Sequence, residues 1–331
     1  MSEESPDVPA EATTADAADA TDATTAEATT ADATPADATT PEAPTRTPKL
    51  GRQLLLATLF GVFVVAGLSI YGDGRALLHH LQSYEWIYFG YGLALATANY
   101  VVRFVRWQYY LHRLDIRGVP TLESARIFTA GFVMSVTPGK VGEVFKSVLL
   151  HESRGISIAR TAPIVVAERL TDLLALVFLA AIGSLVLAEG GWVALGGGLL
   201  VGGVWLVCAW RPLGEWALRI AAKLPAIGRI VPKLREAYDS LRVLVAPAPF
   251  AIATAMSVVS WFLECISLWL IAQGFAEGGN ELDWLEATFA YSVPTIAGAV
   301  ARMPGGLGVT EAGMTGVLER LAGMSLPVAT A

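Results

Sequence analysis

The sequence has little charge and almost no cysteine. Only 16% of its 331 residues are charged, whereas 54% are hydrophobic. This composition excludes an ordinary soluble domain of this size and is typical of a multi-pass membrane protein. The two cysteines, Cys208 and Cys265, lie in apolar segments, so we predict small core residues rather than a disulfide or a metal site.

Motifs for catalysis and for cofactors are also missing from the sequence. The four histidines have no metal-ligand spacing, and there is no G-x-x-x-x-G-K-[ST] phosphate loop, other nucleotide motif or activated nucleophile. We therefore predict no metal, no cofactor and no catalytic residue. The basic residues of 211–245 indicate an amphipathic segment lying on the anionic leaflet, so no nucleic-acid partner is expected.

Lysine and arginine are absent from residues 1–45, which consist almost entirely of Ala, Thr, Asp, Glu and Pro. Such a segment cannot bury enough apolar surface to offset its ordering entropy. We predict a disordered acidic tail over residues 1–48 and a transmembrane domain over 49–331. The tail has no basic stretch followed by an apolar core, so it is not a cleavable signal peptide.

Six apolar segments are long enough to be predicted as membrane spans. They cover residues 54–71, 86–102, 164–187, 192–210, 250–271 and 284–300. Basic residues precede the first segment, which predicts a cytoplasmic N-terminus in the cytoplasmic membrane. The stretch 273–283 has acids and no base, as expected of an external loop. The apolar end at Ala331 predicts a shortened, truncated last helix.

Two similar Pro/Gly-rich stretches interrupt the apolar pattern and lie 166 residues apart, and an acid follows each. Proline and glycine both disfavour helix interiors, so the backbone is expected to break there. One interpretation is a pair of ordinary helix-start turns. The other is a pair of re-entrant elements that face one polar cavity, with the two halves of the chain inverted. The predicted breaks are Pro138, Gly139, Gly142, Pro304, Gly305, Gly306 and Gly308.

Charged residues at helical spacing mark two further candidate regions. Arg103, Arg106 and Trp107 share one helical face, where the arginines are either positive-inside anchors or ligands of a lipid phosphate. Glu168 and Asp172 share a face at the start of an apolar segment, where charges are expensive unless they pair. A structural ion cluster and a binding site both remain open for this pair. Glu264 is a lone acid in the segment 250–271.

These motifs together resemble the flippase-like integral membrane family, the transmembrane region of lysylphosphatidylglycerol synthase (multiple peptide resistance factor). The resemblance covers the chain from about Leu54 to its end. It implies an all-α, polytopic membrane helix bundle that moves or handles lipids with polar headgroups. It also implies a headgroup site, for which the candidates are Arg103, Arg106, Trp107, Lys140, Glu143, Lys146, Glu168, Arg169, Asp172 and Glu311.

Within this interpretation the basic residues would attract a lipid phosphate, and the acids would contact a cationic headgroup or carry protons. The expected partners are anionic phospholipids or lipid-linked substrates, and homo-oligomerisation is left open. An alternative is a membrane transferase that uses Glu168 and Asp172 on a lipid-linked substrate, and another is a non-catalytic scaffold. We favour a transporter over an enzyme, because the soluble aminoacyl-transferase domain of the full synthases is not in this sequence.

Overall fold

The computed structural model describes residues 79–134, 143–184, 230–275, 281–301, 308–321 and 323–330, with scattered residues between 195 and 220. The regular secondary structure of these residues is helical, which confirms the all-α prediction. The predicted tail and first span lie outside the described residues. The same is true of Cys208, of the candidate site residue Lys140 and of most of the predicted breaks, namely Pro138, Gly139, Gly142, Pro304, Gly305 and Gly306.

Ten helices can be bounded in the described part of the chain. The first five are α1 (Trp86–Arg113), α2 (Thr121–Val133), α3 (Phe145–Arg154), α4 (Ile158–Thr161) and α5 (Pro163–Gly183). The other five are α6 (Val231–Leu244), α7 (Pro247–Gln273), α8 (Trp284–Val300), α9 (Val309–Leu321) and α10 (Leu326–Thr330).

Helix α7 is the centre of the packing, because it contacts α1, α5 and α8. Of the described helices, it alone is long and apolar enough by composition to cross a bilayer. Helix α5 has three charged residues, Glu168, Arg169 and Asp172, within its first ten residues. Helix α8 has 17 residues, which at about 1.5 Å each give about 25 Å. Cys265 is free and fully buried on α7, beside Trp261 and Leu176, as predicted for a small core residue.

Helix α1 is longer than its apolar segment, since it continues from residue 102 to Arg113. Arginine is a good helix former, so Arg103 does not end the helix. The buried Arg106 of this extension finds a partner, Asp172, inside the protein. Helices α2 and α3 cover this end of α1. Trp107 of α1, Ile127 of α2, Leu150 of α3 and Ile164 of α5 meet there in one apolar cluster.

Helix α8 begins with a capping box. The side chain of Asp283 accepts from the backbone N–H of Leu285 at 3.2 Å, and Glu286 accepts from the backbone N–H of Asp283 at 3.1 Å. Reciprocal bonds of this kind satisfy N–H groups that a helix start leaves free. The helix therefore starts at a defined residue and packs against α5 and α7.

Candidate functional site

A small polar pocket lies between α1, α2, α3 and α5, where most of the predicted site residues meet. Its volume is about 20 Å³, which is room for about one water molecule. The side chains of α1 in the pocket are one helical turn apart, as their spacing predicted. The described lining residues are Arg103, Arg106, Phe128, Gly131, Phe132, Glu143, Lys146, Glu168 and Arg169.

Three ion pairs surround this pocket. Lys146 Nζ lies 2.8 Å from Glu168 Oε2, and Arg106 Nη1 lies 2.6 Å from Asp172 Oδ1, with all four side chains at most 5% exposed. The third pair joins Arg169 Nη2 to both oxygens of Glu143 at 2.7 Å. Its arginine side chain is 35% exposed. Arg169 thus pairs with neither acid of its own helix, and the three pairs tie α5 to α1, to α3 and to the turn before α3.

Arg106 connects three helices and is not a surface anchor. It is 2% exposed, and it donates to Asp172 on α5 and to Ser257 Oγ on α7. Ser257 Oγ also donates to Asp172 Oδ1 at 3.2 Å. A charge that is buried to this degree needs such partners, because removing it from water costs several kcal/mol. The positive-inside interpretation therefore does not fit Arg106.

Lys146 rests on aromatic rings as well as on its acid. Its Nζ is 4.7 Å from the ring centre of Trp107 and 5.6 Å from that of Phe128, within the range of cation–π attraction. Trp107 is buried below Lys146, where its Nε1 donates to Ser124 Oγ at 3.0 Å. Trp107 is thus a support for Lys146 and is not among the described lining residues. A Cβ at Gly131 would collide with the Lys146 stem, so glycine makes room for this side chain.

Arg103 differs from the other cations of the pocket, because the described residues give it no carboxylate partner. Its Nε donates to the side-chain carbonyl of Asn99 at 3.1 Å, and its guanidinium carbon lies 4.5 Å from the ring centre of Trp261. The described pocket has four cations, and the three ion pairs supply only three acids. Among the described lining residues and their ion-pair partners, one positive charge is therefore in excess, on Arg103.

Two buried guanidinium N–H groups of the pocket have no hydrogen-bond acceptor among the residues that the structure describes. They are Nε of Arg106 and Nε of Arg169. A buried donor without a partner costs about 1–3 kcal/mol, so such groups mark places for a water molecule or a ligand. Both side chains line the pocket, and the unpaired donors and the excess charge favour the same kind of ligand, an anion.

Glu311 lies at a helix start and is not among the described lining residues. Its Oε2 accepts from the backbone N–H of Gly308 at 2.6 Å, just before α9. Gly308 has a φ of +86°, in the left-handed region that glycine adopts without strain. The backbone break predicted at Gly308 stays a prediction, and the described Glu311 has the role of a helix cap.

Several residues that organise the site were not among those predicted from the sequence. Asn99 and Ser257 hold Arg103 and Arg106 of α1, and Gly131 makes room for Lys146. A usable signal existed for Asn99, which lies four residues before Arg103 in an otherwise apolar segment. No comparable signal existed for Ser257, because serine is common in membrane helices and its partners come from other helices.

Comparison with known proteins identifies the family to which the chain belongs. No curated protein and no solved structure matches the chain. The sequence model described as "Lysylphosphatidylglycerol synthase TM region" matches residues 55–331, which is most of the chain. This match agrees with the resemblance carried by the sequence motifs. The chain therefore belongs to the lysylphosphatidylglycerol synthase TM region family and is an integral membrane protein related to lipid handling.

Proposed function

We propose that this protein is a flippase-like transporter that moves phospholipids between leaflets and binds the headgroup phosphate in the pocket. The observation that carries the proposal is the excess positive charge on Arg103. The unpaired Nε groups of Arg106 and Arg169 add two further donors. Guanidinium groups match phosphate oxygens in geometry and charge, whereas a neutral headgroup would leave the positive charge uncompensated.

The pocket must widen to admit a phosphate, because a volume of about 20 Å³ holds about one water molecule. The side chains able to open it are Arg103 and Arg169, which are half-buried, whereas Arg106 is held on several sides. Arg103 is held by one amide oxygen and an aromatic ring, both of which a phosphate can outcompete. Headgroup entry is thus expected to move Arg103 first.

The carboxylates of the site act as partners of cations in this proposal. Glu168 and Asp172 each lie within 2.8 Å of a cation, so neither is a free base of the kind that a transferase needs. No described residue therefore favours the transferase alternative by a specific contact. The acids instead fix Arg106, Arg169 and Lys146, so that the charge without a carboxylate partner, on Arg103, is available to the ligand.

The proposed membrane arrangement follows the charge pattern of the sequence. We place a multi-pass domain in the cytoplasmic membrane with its N-terminus inside, and the acidic residues 1–48 outside the folded part. We also propose that the Pro/Gly breaks at 138–142 and 304–308 are re-entrant and related as inverted halves. Lys140 would then add a further cation near the pocket. Homo-oligomerisation is compatible with this arrangement and is not required by it.

Lipid transport in proteoliposomes tests the proposal. R103Q removes the excess charge. We expect the transport of fluorescent phosphatidylglycerol to fall about ten- to a hundredfold, because this ratio corresponds to the free energy of one hydrogen bond to a charged group. R113Q is the matched control, because Arg113 is an exposed arginine on the same helix and outside the described lining. It should transport like the wild type.

A lipid without phosphate separates a headgroup site from general membrane disturbance. Fluorescent glucosylceramide offers a polar headgroup but no negative charge, so the wild type should move it much more slowly than phosphatidylglycerol. Equal transport of both lipids, or equal loss in R103Q and R113Q, would show that the pocket is not a phosphate site.

A further inference from the structure

A second polar cluster lies next to the pocket and contains Glu264. This residue lies inside α7, the most apolar of the described helices, 17 residues after its start and 9 before its end. Its Oε1 accepts a hydrogen bond from the side-chain N–H of Asn99 on α1. A carboxylate at this depth in a membrane helix is costly and marks a functional site by default.

The amide of Asn99 links Glu264 to the pocket. Its carbonyl oxygen accepts from Arg103 Nε at 3.1 Å and from Ser260 Oγ on α7. These two donors fix the direction of the amide, so that its N–H group points to Glu264. Asn99 is 2% exposed, so water does not compete for these bonds. Glu264 and Arg103 therefore bind opposite ends of the Asn99 amide.

We propose that Glu264 is a proton-binding site coupled to the pocket, so that uptake of a proton by its carboxyl group strengthens binding of the lipid phosphate. The inference rests on the proposed function, since it needs a phosphate that binds at Arg103. It adds the identity of a coupled ion, which the proposed function leaves open.

The sign of the coupling follows from charge. An ionised Glu264 lies outside the described lining, partly offsets the positive charge of Arg103 through the Asn99 amide, and so favours the bond between Arg103 and that amide. Protonation of Glu264 removes that negative charge, so the positive charge of Arg103 is no longer offset. Less free energy is then needed to move the Arg103 guanidinium away from the Asn99 amide. A phosphodiester carries one negative charge, which matches this state. Because coupling is reciprocal, binding of the phosphate also favours protonation of Glu264.

Few other groups near Glu264 can change their charge between pH 5 and pH 7.5. Arg103 and Tyr100 face it from α1, and Tyr291 faces it from α8. Cys265 is its neighbour on α7, and the described α5 residues packed beside Cys265 are apolar. Phenols and thiols are largely neutral below about pH 7.5, and arginine stays charged. One carboxyl group, on Glu264, therefore remains to carry the proton in this cluster.

The test measures binding of short-chain phosphatidylglycerol to the full chain in a neutral detergent by calorimetry at pH 7.5 and at pH 5. The wild type should bind several-fold more tightly at pH 5, with a slope of at most tenfold per pH unit because one proton is taken up. E264Q imitates the protonated carboxyl, so it should bind at both pH values as the wild type does at pH 5. E319Q, an exposed acid on α9, should follow the wild type.

The outcomes separate this inference from the proposed function. If R103Q binds the lipid like the wild type, the proposed phosphate site is wrong. If R103Q loses binding but E264Q keeps the pH dependence of the wild type, or the wild type has none, the coupling to Glu264 is wrong.

A second measurement does not depend on the folding of a variant. Calorimetry of the wild type at one pH in two buffers of different ionisation enthalpy gives the number of protons taken up per lipid. We expect net uptake between zero and one proton, larger near the midpoint of the pH profile. Zero uptake throughout the profile would overturn the inference.

Discussion

Removing one member of the Arg106–Asp172 pair should destabilise the protein strongly, whereas replacing both members by apolar residues should not. The pair joins α1 to α5 with a distance of 2.6 Å, and the two side chains are 3% and 5% exposed. In D172N, Arg106 stays buried and keeps only neutral partners such as Ser257. In R106M, the carboxylate of Asp172 stays buried without its cation, and its Oδ2 already has no hydrogen-bond partner in the described part of the chain.

The magnitude follows from the burial of the pair. Breaking a buried ion pair by removing one partner costs about 3–5 kcal/mol of unfolding free energy. An apolar pair of similar volume avoids the desolvation of both charges, so R106M/D172L should lie within about 2 kcal/mol of the wild type. Ser257 then loses both partners, but a serine hydroxyl in a helix can bond to a carbonyl of its own helix. The effects should therefore be far from additive.

Equilibrium unfolding in a mild detergent titrated with dodecyl sulfate gives the required free energies. The matched control is D115N, because Asp115 forms an ion pair with Arg117 in which both side chains are more than 70% exposed. Asparagine also tolerates the φ of +53° at this position. Exposed pairs contribute about 0–1 kcal/mol, so D115N should stay close to the wild type.

Two results would contradict the expected role of the Arg106–Asp172 pair. One is a loss in D172N no larger than that in D115N, which would mean that the pair is hydrated rather than buried. The other is a loss in R106M/D172L equal to the sum of the two single losses, since the charges would then contribute independently of each other.

Two further predictions concern topology. The first uses a chain without other reactive cysteines. A cysteine at the exposed Ser83 should react with an impermeant thiol reagent on intact cells, whereas a cysteine at the exposed Lys233 should not. The opposite labelling pattern would contradict the predicted orientation. Cysteines at positions 140 and 306 should cross-link if both Pro/Gly breaks face one cavity, and a pair that fails to cross-link while each single cysteine is reactive would leave ordinary helix-start turns as the better interpretation.

Much of the helical framework could be predicted from the sequence, because apolar segments and their flanking charges are local signals. Helix α8 has the bounds of the predicted segment 284–300, and α7 contains the predicted segment 250–271. The end of α1 was less accessible. The predicted span ended before Arg103, although the helix continues to Arg113, since the sequence does not say that a charge will be buried in the protein.

The partners of the site residues could not be predicted in the same way. The spacing of Glu168 and Asp172 placed both on one face of a helix, but it did not assign Lys146 to the first and Arg106 to the second. Pairing depends on the distances between helices that are far apart in the sequence. Trp107 is an example. Its motif suggested contact with the headgroup, whereas in the structure its ring lies against Lys146.

Arg103 and Arg106 show how neighbours assign different tasks to identical side chains. They lie three residues apart on one helix, and the sequence offered the same two interpretations for both. Arg106 has a carboxylate and a hydroxyl from two other helices, so moving it would expose a buried acid and cost several kcal/mol. Arg103 has a neutral amide and an aromatic ring, so exchanging these for a phosphate gains a charge-assisted bond. Arg106 therefore holds the helices together, and Arg103 is the arginine that we propose binds the lipid phosphate.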